Sequence, residues 1–376
     1  MSENSCITFP EKTDKKEQCC CGPAAKDNIK YRPLPAVGSI TTEAGNIDVV
    51  STKWGLCDYI GEIKVRLDIG RMNYAVAPGV YAVGRPDRQS PVLVSANYKL
   101  SFDVLRRDLE GLDAWILVID SKGVNVWCAA GKGTFGTEEL AQKVKITGLE
   151  KIVSTRKLIV PQLGAPGISA HTVNALCGFS VVYGPVRSSD IKKYLDAGMK
   201  ADATMRRVNF GFIDRLTVSW LELALTMKTA IIATAVLASL IILASLIPGL
   251  AAVKEEVRLF PVLLWSAILS GTVLNAVLLP YLPGKAFSLK GGILGLIVCA
   301  AVILASGQHL AVTTWLSVML ICAAISAFLS LNFTGSSTYT SLSGVKKEIR
   351  YSMPAIKGFA WAGIILEVGN VIWRLL

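Results

Sequence analysis

Cys128 is the residue of this chain whose surroundings point most directly to chemistry. It lies between an apolar run, Ala114–Ile119, and a helical pattern that begins at Gly136. The apolar run is long enough for a buried strand, and Asn125 is a good N-cap for one or two short helical turns over 127–132. A thiol at the carboxyl end of a parallel strand lies where open α/β sheets bind ligands. There it can bond to a metal or attack a substrate, because nearby amide groups favour the thiolate.

The residues of this stretch bear on two other interpretations. A lone cysteine in an apolar core is more often an inert small hydrophobe, and this alternative stays open for Cys128. A phosphate-binding loop is excluded. Gly131-Lys132 would need a glycine at position 126 and Ser or Thr at 133, where the chain has Val126 and Gly133.

The elements around Cys128 form a regular series of strands and helices. Strands are predicted at 91–94, 114–119, 158–160 and 179–183, and helices at 101–110, 137–144, 170–176 and 189–197. Strands that alternate with helices predict a parallel sheet with right-handed crossovers. The loops at 95–99, 123–134, 161–167 and 184–187 therefore meet at one edge of the sheet. Their glycines and small residues leave room for a large flat ligand against the backbone.

The segment before this series carries weaker signals. Residues 1–44 are polar and charged and are predicted to be a disordered tail. The tail contains three adjacent thiols, Cys19, Cys20 and Cys21, which either capture a soft cation such as Hg(II) or are incidental. Short β-like runs at 62–67 and 79–83 predict a small β appendage that leads into the main sheet.

Charge and cysteine usage exclude several classes of protein. The net charge of +11 is carried largely by clusters beside apolar spans, such as Arg206-Arg207, which indicates topology determinants at a membrane. No aromatic-basic nucleic-acid motif is present. The nine cysteines do not form a secreted disulfide framework, and no signal peptide is expected at Met1. Cys57 and Cys177 are interpreted as packing residues. No CxxC cluster suited to zinc or iron–sulfur binding occurs.

The C-terminal part predicts an all-α transmembrane domain at 227–376. Its five apolar spans are placed at about 229–250, 259–280, 289–306, 310–331 and 355–376. A basic amphipathic segment with aromatic anchors, 198–228, precedes them. The Lys/Arg bias predicts a multi-pass protein of the cytoplasmic (inner) membrane with its N-terminal domain in the cytoplasm and its C-terminus outside. Glu367, Asn370 and Asn275 lie within spans and indicate either helix packing or a transport pathway.

The residues around Cys128 also carry a family resemblance. Asn-Val-Trp-Cys-Ala-Ala-Gly-Lys-Gly at 125–133 resembles the cap-helix motif of the HgcA family of mercury-methylating corrinoid proteins. It is also similar to the large subunit of the corrinoid iron–sulfur protein of the acetyl-CoA pathway. The likeness extends over roughly 45–225, through 95–99, 161–167 and 183–187. The membrane region favours the mercury-methylating family, and the missing CxxC cluster departs from the iron–sulfur protein.

The resemblance implies a cofactor and a site. The fold would be an α/β Rossmann-like corrinoid-binding domain at 45–226, with the transmembrane domain after it. Cys128 would be the catalytic residue and the lower axial ligand of the corrinoid (cobalamin-type) cobalt. The full set of implied cofactor-binding residues is Asn125, Val126, Trp127, Cys128, Ala129, Ala130, Gly131, Lys132, Gly133, Thr134, Asn97, Gln162, Gly164 and Gly184. Many corrinoid domains instead use His in an Asp-x-His-x-x-Gly motif. His171, the only histidine before the membrane region, lacks that motif and is expected at the rim or in the core.

The resemblance further implies a corrinoid-dependent methyltransferase of anaerobic metabolism. A methyl group would pass from methyl-Co(III) corrinoid to Hg(II), giving methylmercury. A soft thiolate trans to the methyl group favours its release as a carbanion equivalent. The implied partners are an HgcB-type ferredoxin-like protein with two 4Fe–4S clusters, a methyl donor such as methyltetrahydrofolate or its carrier protein, Hg(II) and membrane lipid, with no nucleic acid. Three alternatives stay open: a membrane-anchored corrinoid methyl carrier of one-carbon and acetyl-CoA metabolism, a corrinoid-storing or corrinoid-sensing protein, and a transporter with a regulatory domain.

Overall fold

An α/β domain and an all-helical region follow one another along the chain. The computed structural model describes residues 29–246, 258–336 and 342–375. Its N-terminal part holds a mixed, mostly parallel seven-stranded sheet with helices, and its C-terminal part holds long apolar helices. The predicted fold class is confirmed.

The sheet is parallel in the half that carries the site. Its strands are β1 (Ala36–Thr42), β2 (Gly45–Val50), β3 (Gly79–Val83), β4 (Val92–Ala96), β5 (Ala114–Ile119), β6 (Lys157–Val160) and β7 (Ser180–Tyr183). They lie in the order β1-β2-β3-β5-β4-β6-β7, and the last four in that order run parallel. Because β5 and β6 lie on opposite sides of β4, the strand order reverses at β4, and a crevice opens at the carboxyl ends there.

Helices cover both faces of the sheet. They are α1 (Leu56–Arg66), α2 (Lys99–Asp108), α3 (Val126–Lys132), α4 (Thr137–Ile146), α5 (Leu149–Ile152), α6 (Ala170–Cys177) and α7 (Ile191–Asp196). All six residues of β5 are buried and alternate between two cores. Trp115 belongs to the core with α3, α4, α5 and α6, whereas Ile116 belongs to the core with α2 and α7. A strand buried on both faces explains the unbroken apolar run in the sequence.

Two predictions for the N-terminal segment are wrong. The predicted tail at 1–44 contains strand β1, which pairs antiparallel with β2 across a tight turn that ends at Gly45. Gly45 has φ +115°, which a glycine adopts without strain. The predicted strand at 62–67 lies mostly within helix α1. Residues 1–28, including Cys19–Cys21, lie outside the described residues.

Among the described residues of the C-terminal part, five helices are long and apolar enough to cross a membrane, as predicted. They are α8 (Phe212–Ser245), α9 (Phe260–Leu278), α10 (Phe287–Ser306), α11 (Val312–Asn332) and α12 (Leu342–Leu375). Helix α8 begins within the predicted juxtamembrane segment, so residues 212–228 of that segment and the first span are one helix. Its 34 residues extend about 50 Å at ~1.5 Å per residue, well beyond the ~30 Å of hydrocarbon. One end of α8 therefore projects from the apolar layer.

The membrane helices pack through small polar residues. The Ser326 hydroxyl donates a hydrogen bond to the Gly291 carbonyl at 2.7 Å, and Ser317 donates to Gly363 at 3.0 Å. Asn370 on α12 donates to the Thr314 hydroxyl on α11 at 2.7 Å. Close approach with hydroxyl and amide bridges is the usual way in which apolar helices associate in lipid. Asn370 therefore has the packing role that the sequence left open.

Candidate functional site

Cys128 lies in the first turn of α3, the first helix after β5. The Asn125 side chain accepts a hydrogen bond from the Cys128 backbone N–H at 2.9 Å, which confirms the predicted N-cap. The helix ends at Gly133, whose φ of +79° makes it a left-handed C-cap. Ala129 and Ala130 are buried beneath the helix in the core, whereas Cys128 is half-buried. The cysteine is thus carried on a short, capped and anchored helix.

The loop that leads from β5 to α3 is held by one buried amide, Asn97, at the end of β4. Asn97 Oδ1 accepts hydrogen bonds from the backbone N–H groups of Ser121 at 3.1 Å and Gly123 at 2.9 Å. Its Nδ2 donates to Asp120 Oδ1 at 3.0 Å. Lys122 and Gly123 both have positive φ, so the loop makes a tight turn. The hydrogen bonds to the Asn97 side chain stabilise this turn. Asn97 therefore positions Cys128 through the backbone.

The loop after β6 packs directly against α3. A Cβ on Gly164 would lie 2.5 Å from Phe135 Cε1 and 3.3 Å from Val126 Cγ1, so only glycine fits there without movement. Phe135 is fully buried in the core just after α3. The two loops and α3 form one packed unit at the crevice where the strand order reverses.

A cavity of about 710 Å³ opens in front of this unit. Cys128 lines it together with Asn125, Val126, Trp127 and Gly184, at the carboxyl edge of the sheet. Its volume falls within the ~300–1,000 Å³ range of ligand pockets. Two further walls come from elsewhere in the chain. The segment around the end of α1 contributes Val65, Arg66, Asp68, Arg71 and Met72, and the first part of α8 contributes Thr217, Val218, Leu221, Glu222 and Leu225.

Few charged side chains line the cavity, and two of them have a partner. Arg66 forms an ion pair with Glu62 at 2.6 Å, and the Arg71 guanidinium lies 6.0 Å from the Tyr98 ring centroid. Burial raises the pKa of the Tyr98 hydroxyl, so this side chain is a neutral phenol at physiological pH. Most of the wall is aliphatic or aromatic. The cavity suits a large, mainly apolar ligand that meets one soft sulfur donor.

A buried ion network holds α1 beside α2 at the edge of the cavity. Lys99 Nζ lies 2.5 Å from Asp103 and 3.2 Å from Asp58, and Arg106 lies 2.9 Å from each of these carboxylates. Burial raises the pKa of Asp58, but the Gly55 N–H and the Arg106 guanidinium outweigh it and lower the pKa below its ordinary value. For Lys99, burial lowers the pKa, but Asp103 more than offsets this effect, so its pKa is raised. The network thus places two cationic side chains against two carboxylates, and these ion pairs offset the cost of burial.

Some of the candidate cofactor-binding residues line the cavity, and the others do not. Asn125, Val126, Trp127, Cys128 and Gly184 line the cavity. The other members of the set are not among its lining residues: Ala129, Ala130, Gly131, Lys132, Gly133, Thr134, Asn97, Gln162 and Gly164. Gln162 instead accepts a hydrogen bond from Arg206 at 2.9 Å. Their cofactor-binding roles stay predictions, and the walls from α1 and α8 are an addition that sequence reasoning missed.

Three other candidate residues lie away from the cavity. His171 is exposed on α6, beside the Ser169 hydroxyl, and does not line the cavity. Cys177 packs against the sheet core and donates to the Val173 carbonyl at 3.2 Å, as expected of a packing residue. Cys57 is exposed on α1, so its interpretation as a packing residue is wrong.

Comparisons with known proteins match the part of the chain that contains Cys128 and the parallel strands, without the wall from α8. Residues 68–195 match the family described as CdhD, the CO dehydrogenase/acetyl-CoA synthase delta subunit. The acetyl-CoA decarbonylase/synthase complex subunit gamma of Methanopyrus kandleri is 34% identical over 123 residues, which is 32% of this chain and 26% of the relative. The same subunit of Methanothermobacter thermautotrophicus is 35% identical over 128 residues, 34% of this chain and 28% of the relative.

A third relative carries the cofactor in its name. The corrinoid/iron-sulfur protein large subunit of Moorella thermoacetica is 27% identical over 119 residues, which is 31% of this chain and 26% of the relative. The chain thus spans about a quarter of the length of the curated relatives that it matches. The α/β domain is related to these proteins of the acetyl-CoA pathway.

Proposed function

We propose that this chain is a membrane-embedded, corrinoid-dependent methyltransferase that transfers a methyl group to Hg(II), with Cys128 as the lower axial ligand of cobalt. The observation that carries the proposal is the place of Cys128, on a capped helix in the wall of a 710 Å³ cavity at the carboxyl edge of the sheet. The relationship to a corrinoid/iron-sulfur protein supports the cofactor. The cap-helix motif at 125–133 and the membrane region support Hg(II) as the acceptor of the methyl group.

The side chains present fit a corrinoid. In residues 29–246, 258–336 and 342–375, no group of three or more His, Cys, Asp and Glu side chains is arranged to hold a metal ion. A corrin ring brings four equatorial nitrogen ligands of its own, so one protein ligand is sufficient. Thiolates favour soft and electron-rich metal centres. The mostly apolar walls also suit the large hydrophobic face of such a ring.

The residues of the chain have distinct tasks in this proposal. When bound, the corrinoid supplies a cobalt that accepts a methyl group and yields it to an acceptor. Cys128 would hold the metal through its sulfur and, as a soft thiolate, would increase the electron density at the metal. Asn125 and Asn97 fix the position of the sulfur through the backbone of α3 and of the preceding loop. The walls from α1 and α8 would enclose the bound group on two further sides.

The reaction also needs partners. The proposed ones are a methyl donor such as methyltetrahydrofolate or its carrier protein, and a ferredoxin-like protein of the HgcB type that returns the metal to its reduced state. The absence of CxxC from the sequence supports an external source of electrons. We place the α/β domain on the cytoplasmic side of the inner membrane, following the Lys/Arg bias of the loops.

A second candidate function is favoured by the names of the relatives. Two of them are subunits of acetyl-CoA decarbonylase/synthase complexes, which supports a membrane-anchored corrinoid methyl carrier of one-carbon metabolism. Such a carrier would use the same cavity and the same Cys128. It differs from the first proposal in the acceptor of the methyl group.

Single-turnover methyl transfer separates the two functions. The full-length protein, loaded with an isotopically labelled methyl-corrinoid, is mixed anaerobically with Hg(II) or with an acetyl-CoA synthase. We expect labelled methylmercury from the wild type and from Cys57→Ala, the control at an exposed cysteine outside the cavity, and a strong loss in Cys128→Ala and Cys128→His. Transfer to the synthase without transfer to Hg(II) would support the carrier. Full mercury methylation by Cys128→Ala would refute the ligand role.

A further inference from the structure

Helix α1 carries an apolar stripe on its outer surface. Leu56, Ile60, Ile63 and Leu67 recur at the i, i+4, i+7 and i+11 spacing of one helix face, and Tyr59 adjoins them. All of these side chains are exposed, Leu56 to 75% and Ile63 to 59%. Single exposed apolar residues are ordinary, but a contiguous row marks an interaction surface.

The inner face of the helix is already packed. Val65, on the opposite side of α1 from this stripe, is 1% exposed and packs with Tyr74 and Tyr98. Asp58 is bound in the ion network with Lys99 and Arg106. The stripe is therefore additional to the face that the fold needs for its own core.

Cationic side chains flank the stripe. Lys64 lies along one edge of the stripe and Arg66 along the other, within the helical repeat. Arg71 and Lys53 lie just beyond the two ends of the helix. An apolar face bordered by Lys and Arg, whose long stems reach from apolar to polar surroundings, is the pattern of a helix that lies in a membrane interface.

The position of α1 agrees with this pattern. Helix α1 contacts α8, and both line the same cavity, α8 through Thr217–Leu225. Lys228 is the last charge of α8 before its uninterrupted apolar part, so the hydrocarbon layer begins near it. Leu221 precedes Lys228 by seven residues, a distance of about 10 Å along the helix axis at ~1.5 Å per residue. The wall that α8 shares with α1 therefore lies at the level of the lipid headgroups.

We propose that α1 is an interfacial helix whose outer stripe, Leu56, Tyr59, Ile60, Ile63 and Leu67, is buried in the lipid headgroup and acyl boundary. The occupant of the stripe is the same membrane that α8 crosses, since α1 contacts α8 close to the start of its apolar part. One wall of the cavity is then supported by lipid. This inference concerns the seating of the domain and does not depend on corrinoid or mercury chemistry.

A lipid-borne photolabel tests the seating directly. The full-length protein is reconstituted in vesicles of phosphatidylcholine and phosphatidylglycerol that contain a carbene-generating lipid probe, and the labelled peptides are mapped by mass spectrometry. We expect the peptide with the α1 stripe to be labelled several-fold more than the peptide with Ile146. Ile146 is the matched control because it is an isolated apolar residue, 68% exposed, on α4. Equal labelling of the two peptides would overturn the proposal.

A double substitution distinguishes direct contact of the stripe with lipid from simple proximity of α1 to the membrane. Ile60→Ser with Ile63→Ser changes only exposed side chains, so the fold and the peptides of α8 should be unaffected. The α1 label should fall several-fold in this variant, while Ile146→Ser leaves the α1 label unchanged. An α1 label that persists in the double variant would contradict insertion of the stripe. A stripe that is instead reserved for a soluble protein partner would stay unlabelled in these vesicles, which also overturns the proposal.

Discussion

The backbone N–H of Cys128 donates a hydrogen bond to Asn125 Oδ1 at 2.9 Å. This bond satisfies one of the free donors of the first turn of α3, so the residue that caps the helix also orients the residue that carries the thiol. The sulfur is therefore held by a rigid helical turn and not by a mobile loop. The cap and the cysteine form one functional unit.

Loss of the cap should loosen the thiol without removing it. We expect Asn125→Ala to destabilise the domain by about 1 kcal/mol, because an orphaned N–H remains in the first turn. Asn125→Asp keeps an acceptor at the same place and should retain most of the stability. Thermal unfolding of the full-length protein, together with the spectrum of bound corrinoid, measures both effects. Equal behaviour of the two variants would contradict the capping role.

Removal of the buried amide of Asn97 should have a larger effect. Asn97→Ala leaves the buried N–H groups of Ser121 and Gly123 without their acceptor, at a cost of about 1–3 kcal/mol each. We expect weaker corrinoid binding with the thiol ligand still present. Gln142→Ala is the control, because Gln142 is an exposed amide on α4 away from the cavity and should change stability by less than ~0.5 kcal/mol. Binding titrations that rank the two variants in the reverse order would refute this assignment.

The close packing of the β6 loop on α3 can be tested with two glycines. Gly164→Ala should cost about 1–3 kcal/mol, since its Cβ would lie 2.5 Å from the Phe135 ring. Phe135→Leu in the same chain should recover part of that loss. Gly131→Ala, in the last turn of α3 with nothing within 4 Å of its Cβ, should stabilise the helix by about 0.5–1 kcal/mol. Unfolding midpoints in which Gly164→Ala is neutral would exclude the tight contact.

The ion network predicts a specific loss of stability in acid. The pKa of Asp58 is lower in the folded protein than its ordinary value of 3.8, so the unfolded chain takes up the proton first. The contribution of Asp58 is therefore complete well above pH 3.8 and is lost as the pH falls through 3.8 towards the folded pKa. Asp58→Asn should lower stability at neutral pH by about 3–5 kcal/mol and flatten this acid dependence. Parallel pH profiles of the wild type and the variant would contradict it.

The features that depend on neighbouring residues in the chain could be predicted from the sequence. The four strand–helix units matched within a few residues because their apolar runs and breaks are local signals. Asn125 was recognised as a cap because its side chain acts within three residues. The five membrane helices were equally predictable, since length and hydropathy alone define such segments.

The features that depend on tertiary contacts could not be predicted from the sequence. Ile63, Val65 and Leu67 alternate with charged residues, which favours a strand, but α1 buries Val65 and exposes the other two. No local pattern distinguishes a helix with two apolar faces from a half-buried strand. The wall supplied by α8 could not be predicted either, because its place beside the cavity depends on the tertiary fold.

One spectroscopic comparison tests the central claim, that Cys128 is the lower ligand of a corrinoid cobalt. The measurement is the EPR spectrum of the Co(II) form, recorded on anaerobically purified and corrinoid-reconstituted full-length protein, with the wild type beside Cys128→Ala. We predict an axial sulfur signature in the wild type that disappears in Cys128→Ala. Identical spectra for the two proteins, or a wild type that binds no corrinoid after reconstitution, would contradict the account and leave Cys128 as a packing residue.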